Sequence, residues 1–253
     1  MERSTVGGRP RNNLLGHKAL VTGGAVRLGR AIALTLGGAG CDVAVHHFHS
    51  ASAAEEVAAE IAALGPRGVA IAADLSDARA CAPLVAQARR QLGGLDVLVN
   101  SAAVFLAGDL ATTSLEDWER QFALNLRAPF LLSQAFAAAV PAEASGKIVN
   151  VGDARARRPG RGHLAYRLTK HALAHLTELL ALELAPRITV NAVAPGAMLA
   201  AGGDEEALAR RVASVVPLRR AGGDAPIADA VLYLLREDFA TGVVLPIDGG
   251  EYL

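Results

Sequence analysis

Val21-Thr22-Gly23-Gly24-Ala25-Val26-Arg27-Leu28-Gly29 joins a short apolar run to a longer segment of helical character. Glycines at such a strand-to-helix turn let the backbone approach a pyrophosphate, and the helix N-terminus that follows presents oriented N–H groups to it. The expected nucleotide contacts in this stretch are Gly23, Arg27, Leu28 and Gly29. Arg27 stands where a middle glycine is common, and its charge suits a phosphate.

The same alternation of strand and helix continues along the chain. Strand-like runs fall at Ala19–Val21, Val43–His46, Val69–Ala72, Val97–Val99, Ile148–Val151, Thr189–Ala192 and Val243–Ile247. Helical segments lie between them at Arg27–Leu36, Ala51–Leu64, Ala78–Leu92, Leu115–Val140, His163–Leu184, Asp204–Val215 and Asp224–Leu235. Short apolar strands alternating with helices imply right-handed βαβ crossovers. The expected fold is α/β: one Rossmann-like, doubly wound parallel sheet of seven strands with helices on both faces. Residues 14–253 form the single domain and residues 1–13, polar and rich in Arg and Gly, a loose tail. The Ala- and Gly-rich stretch Ala197–Asp204 is where such a fold often carries a mobile lid.

The 253 residues are 52% hydrophobic, enough for one large core. Acidic and basic residues balance at 25 each, which gives no pull toward nucleic acid or an anionic membrane. Two cysteines, Cys41 and Cys81, are too few for a disulfide framework. The N-terminal residues lack the apolar centre of a signal peptide, and no apolar run approaches the roughly 20 residues of a membrane span. A cytoplasmic protein is expected.

The second strand leads into His46-His47-Phe48-His49-Ser50, with no acid between Val43 and Ala54. An NAD site places a carboxylate near this point to hold the ribose 2′-OH. Its absence favours NADP over NAD, with Arg27, His49 and Ser50 around the 2′-phosphate and His47 also expected at the cofactor. Three close histidines also suggest a metal. Neighbouring strand residues face opposite ways, so at most His47 and His49 converge, and no metal is expected. Asp74 and Leu75 follow the third strand, and Asn100, Ser101 and Ala102 the fourth. Strand C-termini are where an open parallel sheet binds its ligand.

Tyr166 and Lys170 are four residues apart on one helix face. An ammonium beside a phenol favours the phenolate and lowers a pKa otherwise near about 10, which makes a proton donor or acceptor. Lys170 is one of only three lysines among the 25 basic residues, so it does not read as an arbitrary cation. Asn125 lies within the long fourth helix. Asp153 follows the fifth strand and reads as a helix cap, as a loop acid or, in an apolar cleft, as a carboxylic acid kept protonated and able to donate. Arg155, Arg157, Arg158 and Arg161 stand between Asp153 and Tyr166, at the mouth of such a site. They read either as solvated surface or as an attraction for an anionic substrate tail.

From Lys18 to Gly250 the chain resembles the short-chain dehydrogenase/reductases. The glycine turn, Asp74, Asn100-Ser101-Ala102-Ala103, Asn125, Tyr166 with Lys170, Asn191-Ala192-Val193-Ala194-Pro195-Gly196 and Asp248-Gly249-Gly250 carry the likeness. It implies catalysis by Tyr166 and Lys170, with Asn125 completing a proton relay and Lys170 also contacting the nicotinamide ribose. It adds Pro195 and Gly196 to the cofactor contacts. Arg27 in the glycine turn, Asp153 in place of the usual serine, and Phe105 after the Asn100–Ala103 segment are similar to the pteridine reductases. That implies an NADPH-dependent reduction of a dihydropterin C=N bond, with the ring stacked on Phe105 and Asp153 and Tyr166 supplying the proton. The alternatives are a ketone reductase, such as one acting on a 3-oxoacyl thioester, and a non-catalytic NADP-binding regulator. The family also implies a homotetramer, paired through Leu115–Val140 and His163–Leu184. His49 stands where pteridine reductases often carry Arg, and Ser101 where Asn is usual.

Overall fold

The computed structural model describes residues 14–200 and 203–253. The tail expected over residues 1–13 lies outside the described residues, as do positions 201 and 202 of the glycine-rich stretch.

Seven strands form one parallel sheet in the order β3-β2-β1-β4-β5-β6-β7. They are β1 (Lys18–Val21), β2 (Asp42–His47), β3 (Gly68–Ala72), β4 (Val97–Asn100), β5 (Gly146–Val151), β6 (Ile188–Pro195) and β7 (Val244–Ile247). Side chains alternate along each strand between two cores. Ala19, Val21, Val43, Val45, Val97 and Val99 pack on one face, under helices α1 (Arg27–Gly38), α2 (Ala51–Ala63) and α8 (Ala225–Arg236). Leu20, Ala44, Leu98 and Ile148 pack on the other, under α3 (Ala78–Leu92) and α5 (Ala128–Ala139). Helices α6 (Leu164–Leu184) and α7 (Glu205–Val215) follow β5 and β6. The chain winds outward in both directions from β1 and β4. This leaves a crevice beyond their C-terminal ends.

The fourth helical segment is not one α-helix. It comprises α4 (Leu115–Phe122), a π-helical turn over Ala123–Arg127 and α5. The turn carries Asn125, whose Nδ2 donates to the Val104 carbonyl at 2.9 Å and whose Oδ1 accepts the Val104 N–H at 2.8 Å. One widened turn thus aims a fully buried amide at the loop after β4. Trp118 of α4 stacks on Phe122, ring centroids 4.5 Å apart.

The described part of Ala197–Asp204 is anchored. Ala197, Met198 and Ala200 are buried. The Ala197 and Met198 carbonyls accept the Gly222 and Gly223 N–H groups at 3.0 and 3.1 Å. Among the described residues no helix is long and apolar enough to cross a membrane.

Candidate active site

The glycine turn is shaped by two contacts that exclude a side chain. A Cβ at Gly29 would lie 2.0 Å from the Gly23 carbonyl oxygen. One at Gly23, where φ is +62°, would lie 3.0 Å from Ala102 Cα. The Thr22 hydroxyl accepts the Ser101 and Ala102 N–H groups at 2.9 and 3.1 Å, stitching the ends of β1 and β4 together. Helix α1 then starts at Arg27 with no side-chain cap and no acid in its first turn. Arg27 adopts φ +52°, a left-handed conformation that favours glycine, and its Nη2 donates to the Ala200 carbonyl at 2.9 Å.

All the candidate site positions except His47, Asn100 and Asn125 line one cleft of about 900 Å³ at this end of the sheet. His47 is buried on the opposite side of β2, and His46 faces the turn instead. This corrects the assignment of His47 to the cofactor: adjacent strand residues point to opposite faces. His46 Nδ1 accepts the Gly23 N–H at 3.0 Å, and its Nε2 meets the Ala73 carbonyl at 3.1 Å. That pattern requires the neutral imidazole with its proton on Nε2. Burial pushes its pKa down to about 4. Asn100 sits behind the cleft, its amide donating to Asn150 Oδ1 at 2.8 Å, and Asn150 donates to Thr177 at 2.9 Å. Asn125 is held by Val104 and by Thr169, whose hydroxyl lies 3.3 Å from Nδ2, and touches neither Tyr166 nor Lys170 by hydrogen bond.

At the other end of the cleft Tyr166 Oη donates to Asp153 Oδ2 at 3.0 Å. Burial is the main reason the Tyr166 pKa stands well above 10, and the Asp153 charge adds to it, while Arg155 and Arg211 oppose. Lys170 Nζ donates to the Val151 carbonyl at 2.8 Å and stands 5.9 Å from the Tyr166 ring centre. Its own pKa is pushed down to about 8 by burial, against the pull of Asp153. The expectation that Lys170 makes a phenolate is therefore not what the geometry gives, and Tyr166 keeps its proton.

Asp153 is an acceptor rather than a donor. Arg155 donates to it through its backbone N–H at 2.8 Å, Nε at 3.3 Å and Nη2 at 3.0 Å. Phe105 stacks on His163 at 4.1 Å, meets Tyr166 edge-on at 4.7 Å, and has the Arg155 guanidinium 5.3 Å from its centre. The arginine-rich loop divides. Arg155 points inward, whereas Arg158 donates to the Leu253 carbonyl at 2.7 Å and lies over Tyr252. Arg211 of α7 also lines the cleft and forks onto Glu251 at 2.6 and 2.5 Å.

The family described as "Enoyl-(Acyl carrier protein) reductase" matches residues 24–251. An uncharacterized oxidoreductase of Mycobacterium tuberculosis is 38% identical over 244 residues, 92% of this chain and 90% of that protein. A 3-oxoacyl-[acyl-carrier-protein] reductase of Synechocystis is 34% identical over 236 residues, 92% of this chain and 95% of the relative. The crystal structure of FolM alternative dihydrofolate reductase 1 from Brucella canis, complexed with NADP, superposes with a TM-score of 0.88. It is 34% identical and each chain covers 96% of the other.

The chain belongs to the short-chain dehydrogenase/reductases.

Within this short-chain dehydrogenase/reductase, His46, Arg155 and Arg211 are cleft residues that sequence reasoning did not assign to the site. The structure places His46 on the Ala44 face of β2, opposite Val43 and Val45, and no local signal in the sequence set that phase. Arg155 was visible only as one of four loop arginines. Nothing local marked Arg211.

Proposed function

We propose that this oxidoreductase uses NADPH to reduce a C=N bond of a dihydropterin. The observation that carries the reading is the group Phe105, Tyr166 and Asp153 at one end of the cleft, an aromatic ring edge-on to a phenol that is bonded to a carboxylate. Flat heterocycles suit an aromatic platform. The likeness to FolM supports the same substrate class.

The donor set at the other end suits a dinucleotide phosphate. The first turn of α1 is uncapped and open to the cleft, Arg27 adds a cation, and Phe48, His49 and Ser50 bring no carboxylate. Gly23, Leu28, Gly29, Ser101, Ala102, Pro195 and Gly196 would hold the nucleotide, with Asp74 and Leu75 beside it. NADPH supplies a hydride when bound. Reduction of a C=N bond would also need a proton at its nitrogen. Tyr166 holds that proton, because burial and the neighbouring charge keep its phenol un-ionised at neutral pH. Asp153 orients the hydroxyl by accepting from it. Asn125 fixes the loop that carries Phe105, through its paired bonds to Val104. We further propose that the protein is a homotetramer.

A second reading is a reductase of 3-oxoacyl thioesters, favoured by the 34% identity to the Synechocystis enzyme. Both are tested by NADPH oxidation against dihydrobiopterin, dihydrofolate, an acetoacetyl thioester and simple ketones. A dihydropterin is expected to give the highest kcat/KM, and Tyr166→Phe to lower kcat at least about a hundredfold with NADPH binding retained. Faster turnover of the thioester would replace the first reading by the second.

A further inference from the structure

We infer that Arg155 is a positioning residue for the reaction: it fixes the Asp153 carboxylate as the acceptor that aims the Tyr166 hydroxyl. Asp153 has two oxygens and four donors around them. Oδ1 takes the Arg155 backbone N–H and Nε, and Oδ2 takes Arg155 Nη2 and Tyr166 Oη. One residue thus supplies three of the four bonds, and the fourth is the catalytic hydroxyl. The carboxylate is nine-tenths buried, and without the guanidinium its remaining hydrogen-bond donors would be the residue-155 backbone N–H and the phenol itself. A fork of two parallel N–H groups also sets the plane of a carboxylate, which a point charge does not do.

The fork itself is braced. The Arg155 carbonyl accepts from Arg167 Nη1 at 2.9 Å, which ties the loop to the helix that carries Tyr166. On its far side the guanidinium lies near the Phe105 ring. Loop, helix and aromatic platform therefore converge on one side chain whose hydrogen-bond path to Tyr166 runs through Asp153.

The test is a double-mutant cycle on kcat, with Arg155→Met, Arg155→Lys and Asp153→Ser. The inference rests on the reductase reading only in needing turnover. The ratios are read on whichever panel substrate the wild type reduces, so failure of the dihydropterin reading leaves the cycle intact. Arg155→Met is expected to lower kcat at least about tenfold while the Kd for NADPH stays within about twofold. Arg155→Lys, which keeps the charge without the fork, is expected to fall between Arg155→Met and wild type. In the Asp153→Ser background Arg155→Met should change kcat by less than about twofold, because its partner is already gone. Thermal melting of each variant, read beside NADPH affinity, separates lost folding from lost positioning. A tenfold loss that persists in the Asp153→Ser background would overturn the inference. So would an Arg155→Met enzyme as fast as wild type, or one whose loss comes with lost NADPH binding.

Discussion

His46 shows how one side chain ties the nucleotide turn to the rest of the sheet. Its imidazole bridges the Gly23 N–H and the Ala73 carbonyl only while neutral. The folded pKa is about 4, against 6.5 for the free side chain. Between those values the unfolded chain binds the extra proton, so stability falls as pH drops from 6.5 toward 4, by up to about 3 kcal/mol. Urea unfolding at pH 7 and pH 4.5 should show that fall in wild type and a shallower one in His46→Asn, whose amide offers one acceptor and one donor. Equal slopes would remove His46 from the account. Arg27 makes a second case. Its left-handed backbone costs about 1 kcal/mol. Arg27→Gly relieves that strain but gives up the bond to Ala200 and loosens the unfolded chain, so stability should move by less than about 1 kcal/mol. The Kd for NADPH should rise severalfold and that for NADH stay level, measured by nucleotide fluorescence. An unchanged ratio of the two would take Arg27 away from the 2′-phosphate end. His46 and His47 also mark the limit of legibility at this scale. In a sheet buried on both faces the strand shows no polar alternation to set its phase, and a one-residue shift exchanges the two histidines.

At the scale of elements most of the architecture was legible, because each strand is a short apolar run and each helix follows at crossover length. The ends of β1, β2 and β4 fall within one residue of the runs read from the sequence. The π turn was not legible: a single widened turn leaves the helical pattern of Leu115–Val140 nearly unchanged. The Asp153–Arg155 pair was hidden for another reason. Residues two apart do not face each other on a helix or point at each other on a strand, and only the tight 3-10 turn over Ala154–Arg157, capped by Asp153, brings them together. The glycine turn gives the element-scale prediction. With a Cβ at Gly29 meeting the Gly23 carbonyl at 2.0 Å, Gly29→Ala must separate the turn from the start of α1. A loss of about 2 kcal/mol in stability and at least tenfold in NADPH affinity is expected, read by melting and by nucleotide binding. Retained affinity would mean that the turn can open without cost to the nucleotide site.

At the scale of the whole molecule, an apolar groove lies outside the two buried cores. This groove, of about 440 Å³, runs between the α4–α5 segment and α6, lined by Phe122, Leu126, Phe130, Leu176 and Leu179 among others. Phe130 and Leu179 are 42% and 47% exposed there. Pairing of this face with its copy about a twofold axis buries it, in line with the proposed homotetramer. Light scattering at micromolar concentration should give a tetramer, with Leu179→Asp shifting the population toward smaller species while NADPH binding persists. A monomeric wild type would refute it. Trp118, the sole tryptophan, stacks on Phe122 at the border of that groove and is absent from the nucleotide cleft. Under the proposed pairing the intrinsic emission of this protein would gauge subunit contact, and its colour is expected to shift on dilution past the dissociation point.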